Sequence, residues 1–116
     1  MTAVYDLEDR TLRFAMMVRS FTRKLPRTTE NNEDIKQLAR ASASVGANYI
    51  EANENLGEKD KRMKIKISRK EAKEARFFSR LVDTNEKQNL EEERNKIIQE
   101  STELMNIFGA ILKKLG

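Results

Sequence analysis

Large apolar side chains recur along this chain at separations of three and four residues, the spacing that aligns successive side chains on one stripe of an α-helix. Leu7, Phe14, Val18, Phe21 and Leu25, with Thr11 in the gap, hold it until Pro26, whose ring clashes with the preceding helical turn. Beyond the polar stretch RTTENN, Ile35, Leu38, Ser42, Val45, Tyr49, Ala52 and Leu56 repeat the spacing up to Gly57, the expected C-terminal stop. Asn31 or Asn32 is the expected N-cap of this second segment, with Glu33 and Asp34 placed where the helix dipole favours negative charge. The third segment contains neither glycine nor proline; Met63, Ile67, Phe78, Leu81 and Val82 are expected to share its apolar face, onto which Glu71 and Glu74 project. After the turn DTNEKQN, Leu90, Ile97, Leu104, Phe108, Ile111 and Leu115 form a last seam, with Arg94 and Ser101 at its polar steps and Ile98, Met105 and Leu112 widening it. Gly109 falls within that pattern at a cost of about 1 kcal/mol relative to alanine, which a close contact is expected to offset.

Four such segments joined by short polar loops define an all-α fold, most simply an antiparallel up-and-down four-helix bundle. The helices are expected at about 6–25, 32–56, 58–84 and 89–115 of a single domain spanning residues 1–116. Apolar residues make up 38% of the chain and charged residues 36%, so a thin core must carry a heavily charged coat. Met16, Met17, Met63 and Met105 are expected to fill gaps in that core.

With no histidine and no cysteine, the chain lacks the parts of Ser-His-Asp and Cys-His catalysis, of thiolate zinc sites and of disulfides. No glycine-rich phosphate loop occurs, and no apolar run is long enough for a signal peptide or a membrane span. The expectation is a cytoplasmic, non-enzymatic protein without cofactor or bound metal.

The second segment is short of large side chains. Ala39, Ala43 and Ala47 form one row four residues apart, and Ser42 with Gly46 another; such rows let a neighbouring backbone approach closely. Helix propensity alone would account for the alanines but not for Gly46. A helix with neighbours on more than one side is the expectation, one of them a sister protomer.

The third segment carries the positive charge. Between Glu58 and Arg80, ten lysines and arginines face four acids, a net of +6 against +4 for the whole chain. At helical spacing Lys59, Arg62, Lys66, Arg69, Lys70, Lys73, Arg76 and Arg80 fall within a sector of about 120°. Such a stripe suits a phosphate backbone, although a merely solvated face would look the same. Phe77 alone interleaves it, so backbone contact is favoured over base stacking. Glu71 and Glu74 need partners on an apolar face, and Arg40 and Asn48 are the obvious ones, with the alcohols of Ser42, Ser44 and Tyr49. A buried polar network fixing register is favoured for them over a catalytic carboxylate pair or a metal site.

The stretches QLARASASVGANYIEANE (37–54) and KIKISRKEAKEARFFSRLV (64–82) resemble the four-helix-bundle proteins encoded in intervening sequences of bacterial 23S ribosomal RNA genes. That family includes the accessory variability protein of diversity-generating retroelements. The similarity covers nearly the whole chain, including Tyr5-Asp6-Leu7 at its start. Its most specific residues are Gln37, Leu38, Arg40, Ala41, Ser44, Val45, Ala47, Asn48, Glu51 and Ala52, then Ser68, Lys70, Glu71, Ala72 and Glu74. Gly46 stands where many members carry proline, and NENLGEKD replaces their more usual glycine-rich hinge. The resemblance implies a homo-oligomer, commonly a ring of five protomers, able to bind RNA or DNA without catalysis. The alternative is a scaffold whose basic surface docks an acidic protein such as a reverse transcriptase.

Overall fold

The computed structural model describes residues 3–54 and 57–116, with side chains described from Leu7 onward. Leu56 of the second seam and the side chains of Tyr5 and Asp6 lie outside these. Four helices, α1 (Ala3–Thr22), α2 (Thr29–Ala52), α3 (Glu58–Leu81) and α4 (Gln88–Leu115), follow one another with no strand among the described residues. α2 packs on α1 and α3, and α4 packs on α3 and more sparsely on α1, giving an up-and-down bundle of about 45 × 27 × 19 Å.

The helix ends shift for identifiable reasons. α1 stops at Thr22, before Leu25, because the turn ahead of Pro26 tightens: Lys24 and Leu25 donate to the carbonyls of Phe21 and Thr22. Leu25 stays buried all the same. The N-cap of α2 is Thr28, whose hydroxyl accepts from the Asn31 amide at 3.1 Å, instead of Asn31 or Asn32. Asn31 is buried and ties two loops together, donating to the carbonyls of Pro26 (3.0 Å) and Asp83 (2.8 Å) and accepting from the Asp83 amide (2.8 Å). α2 closes on Asn53, and Gly57, at φ −63°, is the N-cap of α3 and not a left-handed stop. α3 ends at Leu81, where Arg94 reaches back from α4 to donate to the carbonyls of Val82 (2.6 Å) and Arg80 (3.2 Å).

The seams of α1, α2 and α4 form the core. Phe14, Phe21, Leu38, Leu90, Ile97, Leu104 and Phe108 are fully buried, and Tyr49 packs on Phe108 at 5.8 Å between ring centroids. α3 departs from expectation: Met63 and Leu81, each 52% exposed, face outward, while Ile67 and Phe78 are half-buried. The buried row is Ile65, Ser68, Ala72, Ala75, Ser79 and Val82, the same three-and-four spacing in mostly small side chains. Ser68 donates to the carbonyl of Val45 on α2 (3.0 Å) and Ser79 to that of Ala75 (2.7 Å), so the small alcohols are satisfied where they are buried. Of the methionines, Met17 and Met105 pack on the core, whereas Met16 and Met63 are exposed.

Ser42 and Gly46 are buried within the protomer, not at a surface. A Cβ on Gly46 would lie 2.9 Å from the hydroxyl oxygen of Thr11, so this glycine is what brings α1 against α2. Gly109 has no such neighbour: the nearest atom to its would-be Cβ is an Arg69 guanidinium nitrogen at 4.0 Å, and the expected close contact is missing.

Candidate nucleic-acid interface

α3 presents its cations in two layers. Lys59, Lys66, Lys70 and Lys73 form the outer ridge, exposed to solvent, with Arg69 and Arg80 also exposed. Arg62 and Arg76, on the flank facing α4, are half-buried. Arg62 donates to the carbonyl of Leu112 (3.4 Å) and Arg76 to the hydroxyl of Thr102 (3.2 Å), so both help hold α4 in place. Among the described residues only Lys70 of the outer ridge meets a carboxylate, that of Glu74 at 3.9 Å. The eight stripe residues therefore divide into six with cations open to a ligand and two engaged in packing.

Phe77 continues the line of the ridge one turn beyond Lys73, near the C-terminal end of α3, 59% exposed, its ring at 85° to that of half-buried Phe78 with centroids 5.2 Å apart. Lys73 precedes it by one helical turn and Arg80 follows at the next.

The expected polar network forms in part. Arg40 donates to Glu71 (3.1 Å), Glu74 (3.0 Å) and Gln37 (3.3 Å), and Glu71 raises the Arg40 guanidinium above its usual range through that hydrogen bond. Asn48 stays out of it, donating instead to the carbonyl of Ser44 on its own helix (2.9 Å). Ser42 likewise bonds the Ala39 carbonyl, and Tyr49 neighbours Asn53 and Glu8. Glu71 is buried, and its second carboxylate oxygen, Oε1, has no hydrogen-bond partner.

Sequence reasoning missed a second clasp, across α1 and α4. Arg10 grips Glu100 with two bonds (2.7 and 2.8 Å) and Glu103 with a third (2.9 Å), and Glu100 holds the guanidinium far above its usual range. Nothing in either segment alone marks this pairing, which joins residues 90 and more apart. Below it, an open groove of about 790 Å³ is lined by Arg13, Phe14, Met17, Lys96 and Gln99. A second cavity of about 530 Å³ at the bundle end is lined by Leu7, Tyr49, Ile65 and Ile107. Glu71 and Glu74 line neither. Among the described residues no three acidic side chains are placed to share a metal ion, and no helix is long and apolar enough to cross a membrane.

The small-residue surface of α2 is split. Ala43 and Ala47 are exposed and Ala39 is half-buried, while Ser42 is buried and Gly46 faces Thr11 of α1. Leu12 and Met16 of α1 and Ile50 of α2 are exposed as well, at 58%, 59% and 47%.

The fold and its surface define a class: small antiparallel helical bundles that carry a cationic helix on the outside. The chain belongs to the 23S rRNA-intervening sequence protein family, whose model matches residues 5–110. A crystal structure of a protein of unknown function from the S23 ribosomal protein family of Bacteroides thetaiotaomicron is similar to it. The two share 28% identity at a TM-score of 0.78, over 91% of this chain and 97% of the other. No curated protein matches the chain.

Proposed function

We propose that this protein is a non-enzymatic, sequence-tolerant nucleic-acid-binding protein of the cytoplasm that works as a homo-oligomer. One observation carries the reading: Lys59, Lys66, Lys70 and Lys73 stand exposed along one helix, a line of charge about 20 Å long in which only Lys70 forms an ion pair among the described residues. Cations spent on internal ion pairs would be less available to phosphates; of these four only Lys70 has such a partner, the Glu74 carboxylate at 3.9 Å. Contacts of this kind release counterions, so affinity falls steeply with salt.

Assembly, on this reading, uses the other side of the bundle. Leu12, Ala43, Ala47 and Ile50 lie within four residues of the Thr11–Gly46 contact, and their exposure leaves an apolar surface on α1 and α2 for a sister protomer. A ring of five, as the family resemblance implies, would display five cationic ridges and multiply a weak single contact.

The test is a titration of labelled RNA and DNA strands at several salt concentrations, with native mass measurement alongside. The triple variant K66E/K70E/K73E is expected to lose binding while the oligomer persists; unchanged affinity at low salt overturns the reading. A second reading, docking of an acidic protein such as the reverse transcriptase of a diversity-generating retroelement, is favoured by the exposed Met63 and Leu81 beside the lysines. Capture of such a partner that survives nuclease treatment would select it.

A further inference from the structure

We infer that Phe77 is a base-stacking platform and that the ligand of the α3 ridge is therefore single-stranded nucleic acid. This rests on the nucleic-acid reading above and deepens it. A lone exposed apolar side chain is ordinary on a protein surface, so exposure alone would mean nothing. Phe77 differs in its surroundings. It is 59% exposed at the crest of the cationic helix, and its neighbours one turn away on either side are Lys73 and Arg80, both exposed. Its ring leans nearly perpendicular on Phe78, which packs against the core, so the orientation is fixed from beneath while the outer part of the ring stays open.

An aromatic ring flanked by cations along a backbone track is the arrangement by which single strands are held: phosphates meet the cations and an unpaired base lies on the ring. In a duplex every base is already stacked between neighbours and paired across the helix, so no base face is presented to Phe77. Stacking adds affinity without adding phosphate contacts, so it leaves the salt dependence of binding alone. The two kinds of contact on this ridge therefore separate in one experiment.

The probes are a fluorescently labelled 20-nucleotide single strand and a duplex of the same sequence, titrated by anisotropy at three salt concentrations. Wild-type protein is expected to prefer the single strand. Phe77→Leu, which keeps an apolar side chain but removes the ring, is expected to weaken single-strand binding about tenfold with an unchanged salt slope and unchanged duplex affinity. Phe77→Tyr, which keeps the ring, is expected to bind as wild type. Equal single-strand affinity of wild type and Phe77→Leu, while K66E/K70E/K73E still loses binding, overturns the stacking inference and leaves the nucleic-acid reading standing. Wild-type protein that binds neither probe at low salt overturns both. Dissociation of the oligomer by Phe77→Leu would make Phe77 an interface residue and also overturn the inference.

Discussion

Two glycines, each inside a helix, bear opposite loads. A methyl group added at Gly46 would press to 2.9 Å of the Thr11 hydroxyl and 3.2 Å of its Cβ, both on a buried side chain that cannot swing away. Gly46→Ala is expected to destabilise the protein by about 1–3 kcal/mol by forcing α1 from α2. At Gly109 the nearest atom is the end of a flexible Arg69 side chain at 4.0 Å, so Gly109→Ala meets no clash. That change is expected to stabilise by about 0.5–1 kcal/mol, through lost freedom in the unfolded chain and better helix propensity. Urea unfolding of both variants checks the pair; destabilisation by Gly109→Ala would contradict the open site. The sequence placed both glycines correctly in helices, but which one had a neighbour was invisible there, since the neighbour of Gly46 lies 35 positions away in the chain. Asn31 was misread for the same reason: it looks like a cap, and its true partners include a loop 52 residues on.

At the scale of elements, three seams were legible because large apolar side chains spell them out. The seam of α3 was not, because Ser68, Ala72, Ala75 and Ser79 carry little hydrophobic signal and the eye follows Met63 and Leu81 instead. Its period was present in the sequence; its side chains were too small to announce it. Six cations of the expected α3 stripe are exposed, but the engagement of Arg62 and Arg76 with α4 depends on the partner helix and could not be read from α3 alone. The same packing of α3 on α2 sets the Arg40–Glu71–Glu74 cluster. Arg40→Ala strands the buried Glu71 carboxylate, whose Oε1 already lacks a partner, and is expected to cost about 1–3 kcal/mol, the range being lowered by the 47% exposure of the Arg40 side chain. With Glu71→Met in place there is no buried charge to strand, Glu74 being partly open to solvent, and Arg40→Ala is expected to cost well under half as much. A double-mutant cycle by denaturant unfolding measures the difference, and equal costs in both backgrounds would show that the pair is not coupled.

For the molecule as a whole, the charge inventory dictates how stability responds to pH. There is no histidine and no cysteine to titrate near neutrality. The groups that shift lie at the two extremes. Glu91 is held below the usual carboxylate range by the Thr84 hydroxyl and then by Arg94, and Glu103 by Gln99 and then by Arg10. A carboxylate depressed in the folded state contributes stability that is present above its unfolded value, about 4.3, and is lost as pH falls through the folded value. Tyr49 is pushed up, by burial first and by nearby Glu8 as a smaller cause. Its contribution is complete below its unfolded value, about 10, and is lost as pH rises from there through the folded value. Arg10, raised further still, stays charged throughout and adds no window of its own. The thermal midpoint is therefore expected to be level from about pH 5.5 to 9, to fall on the acid side as the α1–α4 and α3–α4 clasps lose their carboxylates, and to fall again above about pH 10. Circular dichroism melts across that range check the profile, with Glu103→Gln expected to flatten the acid limb and Tyr49→Phe the alkaline one. A slope between pH 6 and 8 would require a titrating side chain that the composition does not supply.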